Sequence, residues 1–426
     1  MSSENLESGN AEFFFWRGGN AAETCVLATY RIATLLDGER AALGIAREQS
    51  ICATHLNDVE LPADLFEFCA RVVEVREIHS PPTAIAPLYF LSTTVYGTEQ
   101  PTGALRQFDV VIAYPVHSFG ASLTRLWNSV FGEVHRLGYL SAAALVDLHF
   151  PPSLLRRFAG PRFGVPGLRE KLQVFNRPLF CRSMRPAAGL PTGTMLRLNE
   201  SVLSGGFDII KDDELTYDDE RSPFTERVRR MVDMKRRVED QTGEAKLYFA
   251  NIIDDYSTSL AMAEQAAHLG ADGVLLSCSA QGISFIGEVA RRTELLILAH
   301  NTCGDALTRS AQWGASDPVL ARLQRVAGAD LVVSPGPFST PYHDVDANHA
   351  FLAACRDPLG ACRPLMPILQ GGKQPAQLAQ YTADAGSADY MIIAATWLDD
   401  HAQGIQYGAR AFRDAWDEFQ QRNHTL

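Results

Sequence analysis

The sequence that decides the fold is Gly-Gly-Phe-Asp-Ile-Ile-Lys-Asp-Asp-Glu, residues 205–214. Its apolar, β-branched centre predicts a buried strand at residues 207–211, and the 3.6-residue period of residues 225–239 predicts a helix after it. The same order repeats along the chain from Phe163 onward. The predicted strands are residues 179–184, 207–211, 246–253, 273–278, 295–300, 330–334, 365–370 and 390–396, and the predicted helices are residues 196–203, 225–239, 257–268, 285–292, 318–326, 347–354, 376–385 and 404–421. Eight such units in roughly 250 residues are typical of an α/β protein with a (β/α)8 TIM barrel. A doubly wound open sheet, the alternative, usually has fewer repeats and a glycine-rich first turn.

The N-terminal third of the chain has a different pattern. Strands are predicted at residues 24–34, 68–78, 86–96 and 108–116, and helices at residues 39–49 and 122–137. Strands outnumber helices, which favours an α+β (ferredoxin-like) domain with an antiparallel sheet. Proline and glycine at residues 150–152 and 160–164 indicate a linker. The predicted organisation is a flexible arm at residues 1–23, the α+β domain at 24–150 and the barrel at 151–426.

Composition and charge exclude several classes of function. The net charge of −12 argues against a nucleic-acid surface, although one local positive pocket suffices for a small anionic substrate. No apolar run approaches the length of a membrane span, and the acidic, polar N-terminus does not resemble a secretory signal. The eight cysteines form no CxxC pair, which indicates reduced thiols. We therefore expect a cytoplasmic protein that binds neither nucleic acid nor membrane.

The strand at residues 207–211 is followed by candidate metal ligands. Side chains alternate along a strand, so Lys211 and Asp213 are expected to point into the barrel mouth, where barrel enzymes place their catalytic groups. Glu214 lies one step further, where strand pairing should stop. Two carboxylates favour a hard cation such as Mg²⁺, and a lysine joins them only if its amine has captured CO2 and become a carbamate, an anionic oxygen donor. Taken alone, such a run of charges is usually a solvated strand end.

Four motifs, in the same order along the chain, resemble those of the RuBisCO large-subunit family. Residues 205–214 resemble the family's G-G-x-D-x-x-K-D-D-E, and Asn-Arg-Pro-Leu at 176–179 resembles G-R-P-L. Arg-Pro-Ala-Ala-Gly-Leu at 185–190 resembles K-P-K-x-G-L, and Ala-Arg-Glu-Gln-Ser at 46–50 resembles A-x-E-S-S. The chain is thereby identified as similar to the RuBisCO-like proteins, form IV of that family.

The resemblance implies a cofactor, an assembly and further site residues. It implies Mg²⁺ held by a carbamylated Lys211 with Asp213 and Glu214. It also implies that His300 acts as an acid or base, although a histidine that only caps a strand end is an equally simple interpretation. In a homodimer with shared active sites, Glu48 would reach the partner's barrel; otherwise it is an ordinary surface glutamate.

Two departures from the family's motifs argue against CO2 fixation. Carboxylases have two lysines around the proline after the first barrel strand, and this chain has Arg185 and Ala187. An arginine keeps the charge but is a poor proton shuttle, because it stays protonated. The sixth loop, residues 334–340, lacks the lysine that steadies the carboxylated intermediate in the family.

The phosphate sites implied by the resemblance are also altered. The arginine, histidine and serine of the family's distal site are replaced by Asn301, Val333 and Gln370. The proximal site keeps Gly371 and Gly372, whose backbone N–H groups can approach an anion, and Lys373 adds a positive charge. The counterpart glycines after strand eight are replaced by Ala394 and Ala395, which narrows the space. We expect a substrate with one phosphate.

The residues that this chain keeps from the family's active site predict an enzyme that forms an enolate from a monophosphorylated keto sugar or oxo-acid. A decarboxylase or transcarboxylase/hydrolase of the 3-oxo-isoapionate-4-phosphate type is favoured, because the missing lysine matters less when CO2 leaves than when a carbon-bound proton is removed. The alternatives are a 2,3-diketo-5-methylthiopentyl-1-phosphate enolase or a 5-methylthioribulose-1-phosphate isomerase. A non-catalytic metabolite-binding barrel is the third possibility, and the intact Lys211, Asp213 and Glu214 argue against it.

Overall fold

The structure is a computed structural model that describes residues 11–52, 62–79, 104–310, 312–333 and 345–424. The predicted strand at 86–96, the sixth loop at 334–340 and the first ten residues of the predicted arm lie outside the described residues. The chain divides into two compact units, residues 1–158 with 306–322 and residues 159–305 with 323–426. None of the described helices is long and apolar enough to cross a membrane.

The described strands and helices are as follows. The strands are β1 (Cys25–Thr34), β2 (Arg71–Ile78), β3 (Arg106–Pro115), β4 (Leu140–His149), β5 (Leu179–Ser183), β6 (Ile209–Lys211), β7 (Leu247–Asn251), β8 (Gly273–Leu276), β9 (Leu296–Ala299), β10 (Trp313–Ala315), β11 (Leu331–Val333), β12 (Met366–Leu369) and β13 (Met391–Ala394). The α-helices are Gly38–Glu48, Leu123–Phe131, Pro152–Leu155, Gly164–Leu172, Thr192–Ser204, Phe224–Thr242, Tyr256–Leu269, Cys278–Gln281, Ile283–Arg292, Asp305–Thr308, Asp317–Ala327, Val345–Arg356, Leu378–Ala385, Thr396–Asp399 and Ile405–His424.

The first unit is built on a five-stranded sheet in the order β10-β4-β1-β3-β2. β1 pairs antiparallel with β3 and β4, and β2 pairs antiparallel with β3. β10 pairs parallel with β4, so the sheet is mixed, and the prediction of a wholly antiparallel sheet is wrong. β10 is three residues long and lies more than 150 residues after β4 in the sequence, so a reading of local patterns does not detect it.

Two further features of this unit differ from the sequence prediction. The helix predicted at 122–137 ends at Phe131, and Gly132 follows it as the C-cap. The ten-residue strand β4 was not predicted, because its Ala-rich sequence has neither the alternation nor the β-branched content typical of strands. Every residue from Leu140 to Leu145 is buried, so burial on both faces removes the alternation that would have identified it.

The second unit is the predicted barrel. Its eight parallel strands close in the order β11-β12-β13-β5-β6-β7-β8-β9, which confirms the (β/α)8 fold. Several strands are shorter than predicted; the second barrel strand pairs only over Ile209–Lys211. Apolar residues at the strand ends continue the sequence pattern beyond the last ladder hydrogen bond, so the pattern overestimates strand length.

The barrel interior is packed with every second residue of each strand. Leu179 and Cys181 of β5 and Ile209 of β6 belong to this core, together with residues of all the other barrel strands. The period of two along a strand means that the residue two positions after Ile209 also points inward. The core therefore sets the direction of Lys211 before any polar contact is made.

Close packing of the last helix against Gly205, just before β6, leaves no room for a side chain at this position. This contact gives a test of the fold. A Cβ on Gly205 would lie 2.5 Å from the carbonyl oxygen of Gln406 and 2.7 Å from Cβ of Ala409 in the last helix. We expect Gly205→Ala to lower the free energy of unfolding by about 2 kcal/mol through overpacking, measured by urea denaturation. Gly193→Ala is the matched control, because its nearest neighbour is an Arg230 nitrogen at 3.9 Å. It should be neutral or stabilise by up to about 0.5 kcal/mol; equal effects of the two would contradict the packing argument.

Candidate active site

A cavity of about 240 Å³ opens at the carboxyl ends of the barrel strands, the position at which parallel barrels bring loops from several strands together. It is lined by Ser183, Arg185, Lys211, Glu214, His300, Gln370, Gly371, Gly372, Lys373, Ile393, Ala395, Thr396 and Trp397. Eight of the residues predicted from the sequence therefore meet in one cavity: Arg185, Lys211, Glu214, His300, Gly371, Gly372, Lys373 and Ala395.

Lys211 is the last residue of β6, and only 1% of it is exposed. Its Nζ lies 3.4 Å from Oε2 of Glu214 and donates to the carbonyl oxygen of Asp212 at 3.1 Å. A buried ammonium is costly unless it is paired and hydrogen-bonded. Glu214 therefore supplies the charge that lets this amine stay at the base of the cavity.

Asp213 lies between the ends of β5 and β6. Its Oδ2 accepts a hydrogen bond from Oγ of Ser183 at 3.0 Å and is 3.6 Å from Nε of Arg185. Its Oδ1 accepts from the backbone N–H of Leu215 at 3.2 Å. Asp213 is thus ordered by the loop after β5 and does not itself line the cavity.

The donor set decides which metal could bind here. Among the described residues, no group of three His, Cys, Asp or Glu side chains could hold a metal ion. Asp213 and Glu214 provide carboxylates, and the third neighbour is the amine of Lys211. Mg²⁺ prefers oxygen ligands, so the set fits Mg²⁺ when the amine is carbamylated and donates oxygen.

His300 follows β9 and faces Glu214. Its Nδ1 accepts the backbone N–H of Thr302 at 3.1 Å, and its Nε2 is 3.4 Å from Oε2 of Glu214. Because Nδ1 accepts a hydrogen bond, the neutral ring carries its proton on Nε2. Burial lowers the pKa of His300 to about 3, and the positive charge of Lys211 makes the second-largest contribution to this shift. The ring is therefore neutral at physiological pH and presents an N–H donor.

A buried clamp holds the end of β6 in this orientation. Asp212 points away from Lys211 and is fully buried. It accepts hydrogen bonds from Nε of Arg227 at 3.1 Å, from the hydroxyl of Tyr248 at 3.1 Å and from the backbone N–H of Asn251 at 3.2 Å. The side-chain Nδ2 of Asn251 also donates a hydrogen bond to the carbonyl oxygen of Glu214 at 3.2 Å. Asp212 is therefore structural, although it stands in the middle of the charged run.

The loop after β12 has the geometry of an anion cradle. Gly371 and Gly372 have φ values of +80° and +59°, a region that favours glycine. A Cβ on either would meet nothing within 4 Å, so the space beside the backbone is open. Lys373 is only 2% exposed and lies 4.9 Å from the ring centroid of Tyr381. Burial lowers the pKa of Lys373 to about 8.

Besides Asp213, two predicted residues lie outside the cavity lining. Ala394 is the last residue of β13 and is buried outside the cavity lining, whereas Ala395 lines the cavity. Glu48 ends the helix Gly38–Glu48 in the first unit, and its carboxylate lies 3.6 Å from Arg47. Its action in a partner's barrel stays a prediction.

Sequence reasoning missed Ser183, Thr396 and Trp397, which all line the cavity. The signal was available, since each lies at or just beyond the carboxyl end of a predicted strand, 179–184 or 390–396. Such positions are typical of barrel active sites, but none of the three side chains carries a charge that would set it apart from neighbouring residues.

A buried arginine joins two loops of the cavity. Arg182 of β5 is fully buried. Its Nη2 donates to Oδ1 of Asp399 at 2.8 Å and to the carbonyl oxygen of Arg185 at 3.3 Å. Its Nε and Nη1 have no partner within the described part of the chain, and burial lowers its pKa to about 10. This side chain ties the loop that carries Arg185 to the helix Thr396–Asp399.

The Arg182–Asp399 pair gives a second test. Asp399→Ala would leave a fully buried guanidinium without its carboxylate, so we expect the free energy of unfolding to fall by about 3 kcal/mol. Asp400→Ala removes the next carboxylate along the chain, which is exposed as Asp399 is, and should change the free energy of unfolding by no more than about 0.5 kcal/mol. Urea denaturation of both variants measures the difference, and equal losses would show that Arg182 does not depend on Asp399.

Comparisons with known proteins agree with the fold and with the position of the cavity. Residues 164–425 match the family of the ribulose bisphosphate carboxylase large chain, catalytic domain. The chain is 34% identical to ribulose bisphosphate carboxylase-like protein 2 of Rhodopseudomonas palustris over 74% of this chain and 73% of that one. It is 31% identical to the 2,3-diketo-5-methylthiopentyl-1-phosphate enolase of Geobacillus kaustophilus over 74% of this chain and 76% of the enolase.

A solved structure supports the match over the whole fold. The octameric ribulose-1,5-bisphosphate carboxylase/oxygenase of Pyrococcus horikoshii superimposes with a TM-score of 0.84 at 27% identity, covering 96% of this chain and 91% of that one. Fold, motif order and sequence identity agree, and the chain belongs to the RuBisCO large-chain family.

Proposed function

We propose that this protein is a Mg²⁺-dependent enzyme that forms an enolate from a monophosphorylated keto sugar or oxo-acid. The favoured reaction is that of a decarboxylase or transcarboxylase/hydrolase of the 3-oxo-isoapionate-4-phosphate type. The observation that carries the proposal is one cavity in which Oε2 of Glu214 lies 3.4 Å from Nζ of Lys211 and 3.4 Å from Nε2 of His300. The Gly371–Gly372 backbone and Lys373 line the same cavity.

Lys211, Asp213 and Glu214 would hold the metal. RuBisCO family members are Mg²⁺-dependent enzymes, and the donor set here accepts that ion once the lysine carries a carbamate. When bound, Mg²⁺ supplies a Lewis acid that stabilises negative charge developing on a ketone oxygen. Lys211 and Asp213 are buried and Glu214 is partly exposed, so water has little access to two of the three side chains.

The cavity residues supply orientation and hydrogen-bond donors. The Gly371–Gly372 backbone and Lys373 would bind the phosphate and fix the substrate's position. Arg185, whose guanidinium stays protonated, would pair with the carboxylate before it leaves as CO2. As the C–C bond breaks, its electron pair passes to the enolate, and His300 Nε2–H offers a donor to the growing charge. A proton from solvent then completes the ketone.

The same residues argue against carboxylation. Arg185 and Ala187 stand where carboxylases of the family have lysines, so the chain lacks a group at these positions that can exchange a proton near neutral pH. Decarboxylation needs no such group before the C–C bond breaks. The proposed reaction therefore uses the donors that this chain has.

A second candidate is the enolase of methionine salvage. The 31% identity to the Geobacillus kaustophilus enolase favours it. That reaction must remove a carbon-bound proton, and neither His300, with its proton on Nε2, nor Arg185 is set to accept one. We therefore keep decarboxylation first.

We also propose a homodimer with shared active sites. The Pyrococcus horikoshii relative is octameric, and Glu48 lies on a helix of the unit that does not contain the cavity. In the dimer, Glu48 would complete the partner's site.

The function is tested with a panel of monophosphorylated keto compounds. We expect CO2 release from a 3-oxo acid phosphate that requires Mg²⁺, followed by incorporation of one solvent deuterium into the product. Deuterium exchange without CO2 release would favour the enolase instead. Absence of both across the panel would overturn the enzyme proposal in favour of a metabolite-binding barrel.

The carbamate is tested by Lys211→Arg. Arginine keeps the positive charge but does not take up CO2 to become an oxygen ligand, so we expect Mg²⁺-dependent turnover to fall by at least about 100-fold. Lys171→Arg makes the same change at an exposed lysine and should leave turnover unchanged. Full activity of Lys211→Arg would contradict the proposed metal site.

The phosphate cradle predicts a pH dependence. Lys373 is an ammonium below its pKa of about 8 and a neutral amine above it, whereas a phosphate monoester is already a dianion above about pH 6. We expect affinity for D-ribulose 1-phosphate to fall by up to about tenfold as pH rises from 8 to 9.5. In Lys373→Arg the side chain at this position stays charged from pH 8 to 9.5, and all other titrating groups are the same as in the wild type. The affinity of this variant should therefore stay constant over that range. Parallel profiles of the two proteins would exclude Lys373 from phosphate binding.

A further inference from the structure

A second cavity, of about 460 Å³, adjoins the active-site cavity. Gly372, Lys373, Thr396 and Trp397 line both cavities. Gly372 and Lys373 belong to the proposed phosphate cradle, so the cradle lies where the two cavities meet. The wall between the cavities therefore determines how much room a ligand has beyond a phosphate bound in the cradle.

The indole ring of Trp397 is the part of this shared lining that can separate the cavities. Gly372 has no side chain, and the side chain of Thr396 is short. Lys373 places its Nζ over the ring of Tyr381, 4.9 Å from the ring centroid. Trp397 has the largest side chain of the four shared residues, and its ring is wide enough to form the wall.

Packing holds the ring of Trp397 in this position. Its Nε1 is shielded from solvent and has no hydrogen-bond partner in the described part of the chain, so this edge of the ring is inserted into the protein. The ring packs edge-on against His401, with the two centroids 5.9 Å apart. His401 packs in turn against Gly408 of the last helix, where a Cβ would lie 3.1 Å from Cβ of His401.

The backbone that carries the ring is anchored as well. Trp397 belongs to the short helix Thr396–Asp399 after β13. The next residue, Leu398, is fully buried, and Asp399 accepts a hydrogen bond from Nη2 of Arg182 at 2.8 Å. Both anchors oppose a movement of Trp397 away from the phosphate cradle.

We infer that Trp397 restricts the active site to phosphate monoesters, because its ring closes the cradle against a second carbon substituent on the phosphate. This inference rests on the proposed function and narrows its substrate class. A monoester ends in three terminal oxygens, which the Gly371–Gly372 backbone and Lys373 can meet with hydrogen-bond donors. A phosphodiester carries a further carbon group that would overlap the indole ring, and insertion of extra atoms into a filled space is unfavourable.

The test compares two ligands of equal charge that differ in bulk at the phosphate end. D-Ribulose 1-sulfate ends in three terminal oxygens and carries one negative charge. D-Ribulose 1-(methyl phosphate) carries the same charge and an added methyl group. Dissociation constants are measured by calorimetric competition with D-ribulose 1-phosphate, with Mg²⁺ and bicarbonate present. We expect the wild-type protein to bind the sulfate ester about tenfold more tightly than the methyl phosphodiester.

Variants assign this selectivity to the ring of Trp397. Trp397→Ala joins the two cavities, so the affinities for the two ligands should come within about twofold of each other. Trp397→Phe keeps a ring at the wall and should retain the preference for the sulfate ester. Gln374→Ala is the matched control, because Gln374 is exposed and lines the second cavity only. It enlarges that cavity without opening the wall and should also retain the preference.

The outcomes separate the inference from the proposed function. If the wild-type protein binds the two ligands equally, or if folded Trp397→Ala keeps the tenfold preference, the inference is wrong and the proposed function stands. If D-ribulose 1-phosphate itself does not bind to the wild type, the phosphate cradle of the proposed function is wrong, and the inference with it. The wild-type comparison decides both points even if Trp397→Ala fails to fold.

Discussion

The orientation of three consecutive residues at the end of β6 governs the whole active site. Ile209 is packed in the barrel core, so the alternation of the strand turns Lys211 inward to the cavity. Asp212 points the other way into a buried clamp with Arg227 and Tyr248. A shift of the strand by one residue would move Lys211 out of the cavity and turn Asp212 into it. Core packing and the clamp oppose that shift together.

Burial of Lys211 requires a compensating charge beside its side chain. An ammonium that is 1% exposed must be compensated, and Glu214 compensates it in the metal-free protein. In the proposed function, capture of CO2 would replace this cation with an anion, and the carbamate and Glu214 would together supply oxygen ligands for a divalent cation. Metal binding would then depend on the modification.

The structural features that depend on local periodicity were predicted from the sequence. Those that depend on contacts between residues far apart in the chain were not. The barrel and the inward direction of Lys211 follow from strand alternation, and these predictions are confirmed. The strand β4 was missed because it is buried on both faces, and β10 because its partner is distant in sequence. The Arg182–Asp399 pair joins residues 217 positions apart, and the hydrogen bond from Gln370 to Asn301 joins residues 69 positions apart. Contacts of this kind are set by barrel closure, which no short stretch of sequence encodes.

Labelled CO2 shows whether Lys211 becomes the oxygen ligand that we propose. The protein is equilibrated with ¹³C-bicarbonate and Mg²⁺, and ¹³C NMR is recorded for the wild type and for Lys211→Arg. We expect a carbamate signal in the wild type that strengthens with Mg²⁺ and is absent from Lys211→Arg. A wild-type protein that binds Mg²⁺ without any carbamate signal, or a signal that persists in Lys211→Arg, would overturn the proposed metal site.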